Sequence, residues 1–190
     1  LATNVAEASI TVEGVEAVID SGLARIARHN PRTELNRLVT ARISRASAAQ
    51  RAGRAGRTGP GRCVRLYGDA ALARMPEEAE PEVRRIELSE PVLRILGWGA
   101  ADPRTFPWLD PPPAERVERA LSLLGRLGAA EPARGGAASP EAEPTPVAAG
   151  PWRTTPTGHE LLRFPLHPRH ARILLEAERR GVQAEAARLV

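Results

Sequence analysis

Gln50-Arg51-Ala52-Gly53-Arg54-Ala55-Gly56-Arg57 is the most informative stretch of this 190-residue sequence. Arg54 and Arg57 are three residues apart, so on one helical turn their guanidinium groups can meet at one point, and Gln50 lies one turn before Arg54. Glycine removes side-chain bulk and lets the main chain approach a ligand closely. Two planar cations and a neutral amide suit a terminal phosphate, because arginines offset its charge and the amide can orient an attacking water.

The alternative interpretation of this stretch is a solvated basic loop, as in arginine- and glycine-rich tails. Such tails lack a preceding glutamine and flanking secondary structure. Here a helix is predicted over residues 46–52, capped by Ser44 or Ser47, and a last strand over residues 62–67. We therefore favour a ligand site.

Upstream of this stretch the sequence predicts strands. Residues 15–19 (Val-Glu-Ala-Val-Ile) are rich in β-branched side chains and precede Asp20-Ser21-Gly22, which predicts a strand and then a loop. Residues 23–44 predict a β-hairpin whose tip is Asn30-Pro31-Arg32-Thr33, because proline presets a turn. Strand, helix and strand in alternation indicate an α/β layer.

From about residue 76 the pattern is mostly helical. The apolar side chains Val117, Leu121, Leu124 and Leu127 recur at helical spacing, which predicts a buried helix face. A stretch rich in proline, glycine and alanine, residues 131–151, predicts a linker or insertion. Helices are predicted over four segments, at residues 88–98, 114–127, 158–163 and 168–180.

Positive charge is concentrated in the first third of the sequence. All 27 basic residues are arginine; residues 1–62 hold 10 of them against 5 acidic residues, net +5, while residues 63–190 hold 17 against 18, net −1. A local excess of this kind fits a polyphosphate or a nucleic-acid backbone. An ordinary charged surface is the alternative that charge alone leaves open.

Composition argues against membrane, disulfide and metal chemistry. No apolar run approaches the roughly 18 residues that cross a bilayer, and the single cysteine, Cys63, reads as a reduced core residue. We therefore expect a cytoplasmic protein with no membrane partner. No cysteine or well-placed carboxylate completes a metal site with the histidines His159, His167 and His170. The tryptophans are expected to pack in cores or between domains rather than to stack on bases: Trp98, Trp108 and Trp152.

The ends of the sequence indicate a segment of a longer protein. It opens at Leu1 without an initiator methionine, its only methionine is Met75, and it stops within a helical pattern at residues 186–190. Every functional expectation is therefore an expectation about a parent chain.

The residues from Gln50 to Arg57 resemble motif VI of the DEAH-box/RNA-helicase-A branch of superfamily 2 helicases. Residues 2–14 (Ala-Thr-Asn-Val-Ala-Glu-Ala-Ser-Ile-Thr-Val-Glu-Gly) resemble motif V of the same branch. Both motifs in this order and spacing are far more specific than either alone. The family often has threonine where this chain has Ala8, so a hydroxyl role there is absent. Glu13-Gly14 and the compact hairpin are most similar to the bacterial HrpB-type helicases.

The resemblance extends to the rest of the chain outside residues 131–151. Residues 30–33 resemble the turn of the family's β-hairpin, residues 108–113 the approach to the long helix of its winged-helix domain, and residues 164–169 the opening of its ratchet domain. The implied fold is the C-terminal half of an α/β RecA-like lobe followed by mostly α-helical domains. The implied domains are a RecA-like half at 1–75, a winged-helix-like domain at 76–130, a linker or insertion at 131–157 and the start of a helical ratchet-like domain at 158–190.

In this family ATP lies between two RecA-like lobes, and the resemblance implies that this chain supplies the second lobe's side of the cleft. Gln50, Arg54 and Arg57 would face the triphosphate, with the two arginines acting as fingers. Ser9 would sense the γ-phosphate, and Glu13 would lie near the ribose or the catalytic water. Read without the family, Ser9 could equally be a helix cap.

The resemblance also implies partners and cofactors. Thr3 and Asn4 would contact the backbone of RNA or DNA, single-stranded or duplex, although the same two residues could form a plain turn. The N-terminal RecA-like lobe of the same parent would be the second partner. ATP and Mg²⁺ would be held mainly by that lobe, because these 190 residues contain no Gly-x-x-x-x-Gly-Lys-Ser/Thr loop. The parent is expected to be an ATP-dependent helicase of bacterial origin, and the segment alone is expected to be inactive.

The competing function is a non-enzymatic nucleic-acid-binding module. In that interpretation a winged-helix-like region from 76 to 157 grips a duplex and the arginines only hold phosphates. A neutral glutamine one turn before paired arginines distinguishes the two functions, since holding phosphates requires charge and gains nothing from an amide at that spacing.

Overall fold

The computed structural model describes residues 2–4, 7, 13–57, 59–133 and 150–189, which contain both strands and helices, as an α/β fold requires. The chain divides into two compact units, Leu1–Ile86 and Glu87–Val190. The boundary between the two units follows Ile86. It lies eleven residues after residue 75, where the first predicted domain ends.

A parallel pair of strands forms the sheet of the first unit. Strand β1 (Ala17–Asp20) pairs with β4 (Arg62–Arg65), and Ala17 lies opposite Arg62. Parallel strands need a long crossover, and here the crossover contains a hairpin and the helix α1 (Arg45–Ala55), which contacts both strands. The expected last strand at 62–67 is therefore present but ends at Arg65.

The predicted hairpin is confirmed. Strand β2 (Leu23–Asn30) pairs antiparallel with β3 (Leu35–Arg42), with Leu23 opposite Arg42 and Asn30 opposite Leu35. At the tip, the Asn30 side-chain oxygen accepts a hydrogen bond from the Arg32 N–H at 3.1 Å. The Glu34 N–H closes the turn by donating to the Asn30 carbonyl at 2.8 Å, with Glu34 at φ 55°.

Helix α1 is longer than predicted. Ser44 is its N-cap, because the Ser44 side chain accepts from the Ser47 N–H at 3.1 Å, so Ser47 is not the cap. The helix continues through Gly53 to Ala55, beyond the predicted end at 52, and Gly56 is its C-cap. A single glycine in a helix is tolerated at a modest cost.

Two faces of the β1–β4 pair differ in exposure. Val18 and Cys63 are half-buried, whereas their neighbours Ile19 and Val64 are 72% and 45% exposed. The small core beside the sheet consists of Ile43, Ala48 and Met75, with Ala24, Tyr67 and Leu72 packed against it. The short helix α2 (Asp69–Ala73), which was not predicted, contributes Leu72.

The second unit is mainly helical. Its helices are α3 (Ser89–Gly97), α4 (Ala114–Arg126), α5 (Pro156–Leu161), α6 (Pro168–Arg180) and α7 (Gln183–Ala186). The predicted face of α4 is confirmed at Val117, Leu121 and Leu124, which are buried, while Leu127 is half-buried. Helices α3 and α4 contact one another in the core of this unit.

A short antiparallel ribbon in the second unit was not predicted. Strand β5 (Ala130–Pro132) pairs with β6 (Trp152–Thr154), and the Ala133 N–H donates to the Pro151 carbonyl at 2.8 Å. Both strands fall within or beside the range expected to be a linker, 131–157. The residues that leave at Ala133 and return at Gly150 are therefore joined at their base by main-chain hydrogen bonds.

Candidate functional site

Helix α1 carries two of the three candidate phosphate ligands. Gln50 is exposed and Arg54, one turn later, is half-buried, with its Nη2 donating to the main-chain oxygen of Glu7. Arg57 is exposed but lies beyond the C-cap Gly56. The expectation that Arg54 and Arg57 share one helical turn is therefore wrong, because α1 ends at Ala55.

Arg51 donates three side-chain hydrogen bonds within the first unit. Its Nε donates to Glu7 Oε2 at 2.9 Å, and its Nη1 donates to Asp20 Oδ1 at 2.9 Å and to the Leu23 carbonyl at 3.0 Å. Its side chain is 15% exposed. Arg51 therefore joins α1 to motif V, to the end of β1 and to the start of β2.

Asp20 is the buried acid of this cluster. Besides Arg51, it accepts from the Tyr67 hydroxyl at 2.7 Å and from the Gly22 N–H at 3.0 Å. Burial alone would raise the pKa of the Asp20 carboxyl, but these donors outweigh burial, so its pKa lies below the ordinary value. Burial and the hydrogen bond to Asp20 raise the pKa of Tyr67 to about 12.

Glu7 connects motif V to α1 through both its side chain and its main chain. Its carboxylate accepts from the Ser47 hydroxyl and from Arg51, and its main-chain oxygen accepts from Arg54. The same two carboxylates, Glu7 and Asp20, raise the pKa of Arg51 against the opposing effect of burial. The guanidinium of Arg51 is therefore a fixed cation.

The other candidate residues lie around this cluster or outside the described residues. Thr3 and Asn4 are exposed, and the Asn4 carbonyl accepts from the Glu7 N–H at 3.1 Å. Glu13 is exposed in the turn before β1. Ser9 lies outside the described residues. The structure thus brings Asn4, Glu7 and Arg54 into one chain of hydrogen bonds.

The hairpin carries exposed arginines on both of its faces, since side chains alternate along each strand. Arg28 and Arg37 are paired across the two strands, an arrangement of like charges that is unfavourable without a counter-ion. The exposed arginines of the hairpin and its turn are Arg25, Arg28, Arg32, Arg37 and Arg42. These five residues account for half of the arginines in residues 1–62.

Sequence reasoning did not predict the roles of Arg51, Glu7 and Asp20. Arg51 stands in the quoted stretch, but its partners Glu7 and Asp20 are 44 and 31 residues away. The available signal was chemical: a buried strand ending in a carboxylate needs a cation or hydrogen-bond donors.

Two further expectations concern the second unit. His167 is a helix cap: its Nδ1 accepts from the Arg169 N–H at 3.3 Å, and its Nε2 lies 2.9 Å from Glu87 Oε2. Among the residues that the structure describes, no group of three His, Cys, Asp or Glu side chains could hold a metal ion. Trp152 is buried and Trp108 half-buried, but Trp98 is 79% exposed, so its expected burial in this unit is not observed.

Comparison with known proteins shows that the chain is homologous to DEAH-box helicases over nearly its whole length. It is 39% identical over 186 residues to ATP-dependent RNA helicase HrpA of Escherichia coli, covering 98% of this chain and 13% of that protein. It is 37% identical over 185 residues to probable ATP-dependent RNA helicase DHX35 of Homo sapiens, covering 97% of this chain and 24% of that protein.

A solved structure agrees with these relatives. The crystal structure of Escherichia coli DEAH/RHA helicase HrpB matches 98% of this chain with a TM-score of 0.74 and 37% identity, covering 22% of the HrpB chain. The chain therefore spans less than a quarter of the length of each of these relatives. No family model matches it. In the described parts of the chain, no helix has the length and apolarity needed to cross a bilayer.

Proposed function

We propose that this chain supplies the second-lobe side of the ATP-binding cleft in an ATP-dependent RNA or DNA helicase. The observation that carries the proposal is the position of Gln50 and Arg54 one turn apart on α1, beside an arginine already engaged by two carboxylates. The relative HrpA of Escherichia coli is an ATP-dependent RNA helicase. For this chain the activity belongs to a longer parent protein.

The donor set at the end of α1 fits a triphosphate. Gln50 offers a neutral amide at an exposed position, and Arg54 and Arg57 offer guanidinium groups that suit phosphate oxygens. We assign Gln50 to orienting the attacking water and the two arginines to offsetting the charge of the transferred phosphoryl group. Hydrolysis of bound ATP supplies the free energy for translocation. We place Ser9 and Glu13 near the γ-phosphate and the ribose.

Mg²⁺ is assigned to the first lobe. The described residues offer no group of three metal-ligating side chains, and the 190 residues contain no phosphate-binding Gly-Lys-Ser/Thr loop. We therefore propose that the first lobe holds most of the nucleotide and the metal, and that the 190-residue chain alone is inactive.

Thr3 and Asn4 are proposed to hold the nucleic-acid backbone. Both are exposed, and a hydroxyl and an amide can donate to phosphate without reading the base. Residues 1–75 would belong to the RecA-like lobe, residues 76–130 to a winged-helix-like domain and residues 158–190 to the start of a ratchet-like domain.

The decisive test is Arg54→Ala in the full-length parent. An arginine finger contributes on the order of 10³–10⁵ in rate in phosphoryl transfer, so nucleic-acid-stimulated ATP turnover should fall by orders of magnitude. The matched control is Arg45→Ala on the same helix, because the Arg45 side chain is half-exposed and forms its ion pair, at 3.7 Å, with the largely exposed Glu77. Near-normal turnover of the Arg54 variant in steady-state ATPase assays would remove the finger assignment.

A second function is supported by the hairpin arginines, which suit phosphate binding without hydrolysis. In a non-enzymatic winged-helix module, affinity for nucleic acid would fall steeply with salt and would not respond to nucleotide. Binding titrations of the parent at several salt concentrations, with and without a non-hydrolysable ATP analogue, separate the two functions. A nucleotide-dependent affinity supports the helicase; indifference to the analogue supports the binding module.

A further inference from the structure

The guanidinium of Arg51 is held by two carboxylates and a main-chain carbonyl of the first unit. It donates to Glu7 Oε2 and to Asp20 Oδ1, each at 2.9 Å, and to the Leu23 carbonyl at 3.0 Å. With its side chain 15% exposed and two carboxylates against it, Arg51 is not placed to bind a phosphate. Its position one residue after Gln50 and three before Arg54 nevertheless makes it part of the same helix surface.

Glu7 stands between the proposed nucleic-acid contacts and the proposed finger. Its N–H donates to the Asn4 carbonyl at 3.1 Å, and its own carbonyl accepts from Arg54. Its carboxylate accepts from Arg51 and from the Ser47 hydroxyl. One residue thus contacts Asn4 on one side and three side chains of α1 on the other.

We propose, on the basis of the proposed function, that the Glu7–Arg51 ion pair is a positioning device that couples nucleic-acid binding at Thr3 and Asn4 to Arg54. Energetic coupling between sites is carried by contiguous hydrogen-bonded and ion-paired groups. When nucleic acid engages Asn4, Glu7 moves with it, and the ion pair transmits that displacement to α1. The Glu7 carbonyl, which contacts Arg54, is thereby repositioned together with the carboxylate.

Arginine is required at position 51 by geometry. Its planar fork donates to two carboxylates and to a carbonyl at once, whereas a lysine ammonium is a point charge on a flexible stem. The hydrogen bond to the Leu23 carbonyl also connects the start of the hairpin to the Arg51 side chain. Arg51→Lys should therefore retain charge but loosen the connection.

The primary test is Glu7→Gln in the full-length protein. Glutamine keeps the shape of the side chain and removes the negative charge, while Arg51 keeps its pair with Asp20. We measure ATP turnover with and without single-stranded RNA and take the ratio as the stimulation. Since coupling energies between sites correspond to factors of about 5–150, we expect the stimulation to fall by about fivefold or more.

A second variant guards against loss of folding. Arg51→Ala would leave the buried Asp20 carboxylate without its ion-pair partner, so Arg51→Lys is used instead. Arg45→Lys is the matched control on the same helix. Arg51→Lys should lower the stimulation in the same direction as Glu7→Gln, while Arg45→Lys should leave it at the wild-type ratio. Thermal unfolding of each variant gives the folded fraction at the assay temperature.

Three results would overturn the inference. The first is wild-type stimulation in Glu7→Gln. The second is a parallel fall of basal and stimulated turnover that follows the folded fraction, because a purely structural role acts in that way. The third is a wild-type parent with no ATP turnover at all; this result removes the proposed function as well and is thereby distinguished from the first two.

Discussion

Asp20 is the residue on which the stability of the first unit depends most directly. Its side chain is fully buried and is held by Arg51, Tyr67 and Gly22. Because the pKa of Asp20 is lower in the folded chain than in the unfolded chain, its contribution to stability is complete above the unfolded pKa of about 3.9. That contribution is lost as the pH falls through the lower, folded value.

Asp20→Asn should therefore lower the free energy of unfolding by about 3 kcal/mol at neutral pH, the order observed when one partner of a buried ion pair is removed. The variant should also lose the part of the acid dependence below about pH 4 that Asp20 causes. Tyr67→Phe is the milder control, since it removes one hydrogen bond worth about 1–2 kcal/mol. Denaturant unfolding at a series of pH values measures the free energy of unfolding of both variants. Equal losses of this free energy in Asp20→Asn and Tyr67→Phe would contradict the role assigned to the Asp20 charge.

At the residue scale, the sequence identified polar groups by local spacing and missed those joined over long distances. Gln50 and Arg54 lie on one helix as their spacing of four predicted. The pairing of Arg51 with Glu7 and Asp20 depends on the crossover between β1 and β4 and on the position of Glu7, 44 residues earlier in the chain. Neither of these is encoded in residues near Arg51.

Helix α1 shows the same limit at the scale of an element. The predicted helix ends at residue 52, just before Gly53, yet α1 continues to Ala55. Its first turn is stabilised from outside: the Arg45 and Ala46 N–H groups donate to the carbonyls of Pro76 and Glu77 at 2.8 and 3.0 Å. These contacts satisfy main-chain donors that every helix leaves free at its start.

Gly53→Ala tests whether the glycine is needed for the close approach of a ligand or only lowers the stability of the helix. A Cβ at Gly53 meets nothing within 4 Å, so alanine should stabilise α1 by about 1 kcal/mol. If the glycine serves the close approach of a ligand, KM for ATP in the parent should rise despite the gain in stability. Thermal unfolding and steady-state kinetics measure the two effects.

Gly61→Ala is the matched comparison for Gly53→Ala, because it lies just beyond the same helix. A Cβ at Gly61 would lie 1.9 Å from the Ala55 carbonyl oxygen, so the main chain must shift and the first unit should be destabilised. A stabilising Gly61→Ala together with a destabilising Gly53→Ala would contradict the packing described around α1.

The β5–β6 ribbon was missed for a different physical reason. Each strand has three residues, and β5 ends at Pro132, so neither has the alternation that marks a strand in sequence. Its pairing is imposed by the surroundings: the Trp152 N–H donates to Ala101, and the Thr155 hydroxyl donates to Gly128. Tertiary contacts at the end of α4 thus create strands that propensity does not indicate.

At the scale of the whole chain, the two units differ in the size of their cores. The second unit buries large aliphatic side chains completely, including Leu88, Leu121, Leu124 and Leu161. Among the described residues of the first unit, the buried core cluster consists of Ile43, Ala48 and Met75. Residues 76–86 belong to the first unit because they hydrogen-bond to α1 and the hairpin, as in the 2.8 Å contact from His29 N–H to the Arg85 carbonyl.

We therefore expect residues 87–190 to fold on their own. Their buried core should give a cooperative unfolding transition in denaturant, whereas residues 1–86 alone should unfold with low cooperativity. Circular dichroism of each piece during denaturation measures both transitions. A non-cooperative curve for residues 87–190, or greater stability of residues 1–86, would contradict this expectation.

The pairing of β5 with β6 has a practical use. Because main-chain hydrogen bonds pair β5 with β6 and join Ala133 to Pro151, we expect a longer peptide between Ala133 and Gly150 to have little influence on the rest of the unit. Doubling such a loop costs only about 0.6 kcal/mol of closure entropy. A fluorescent reporter or an affinity tag inserted between these two positions would provide a handle for single-molecule observation of the protein without a fusion at either end of the chain.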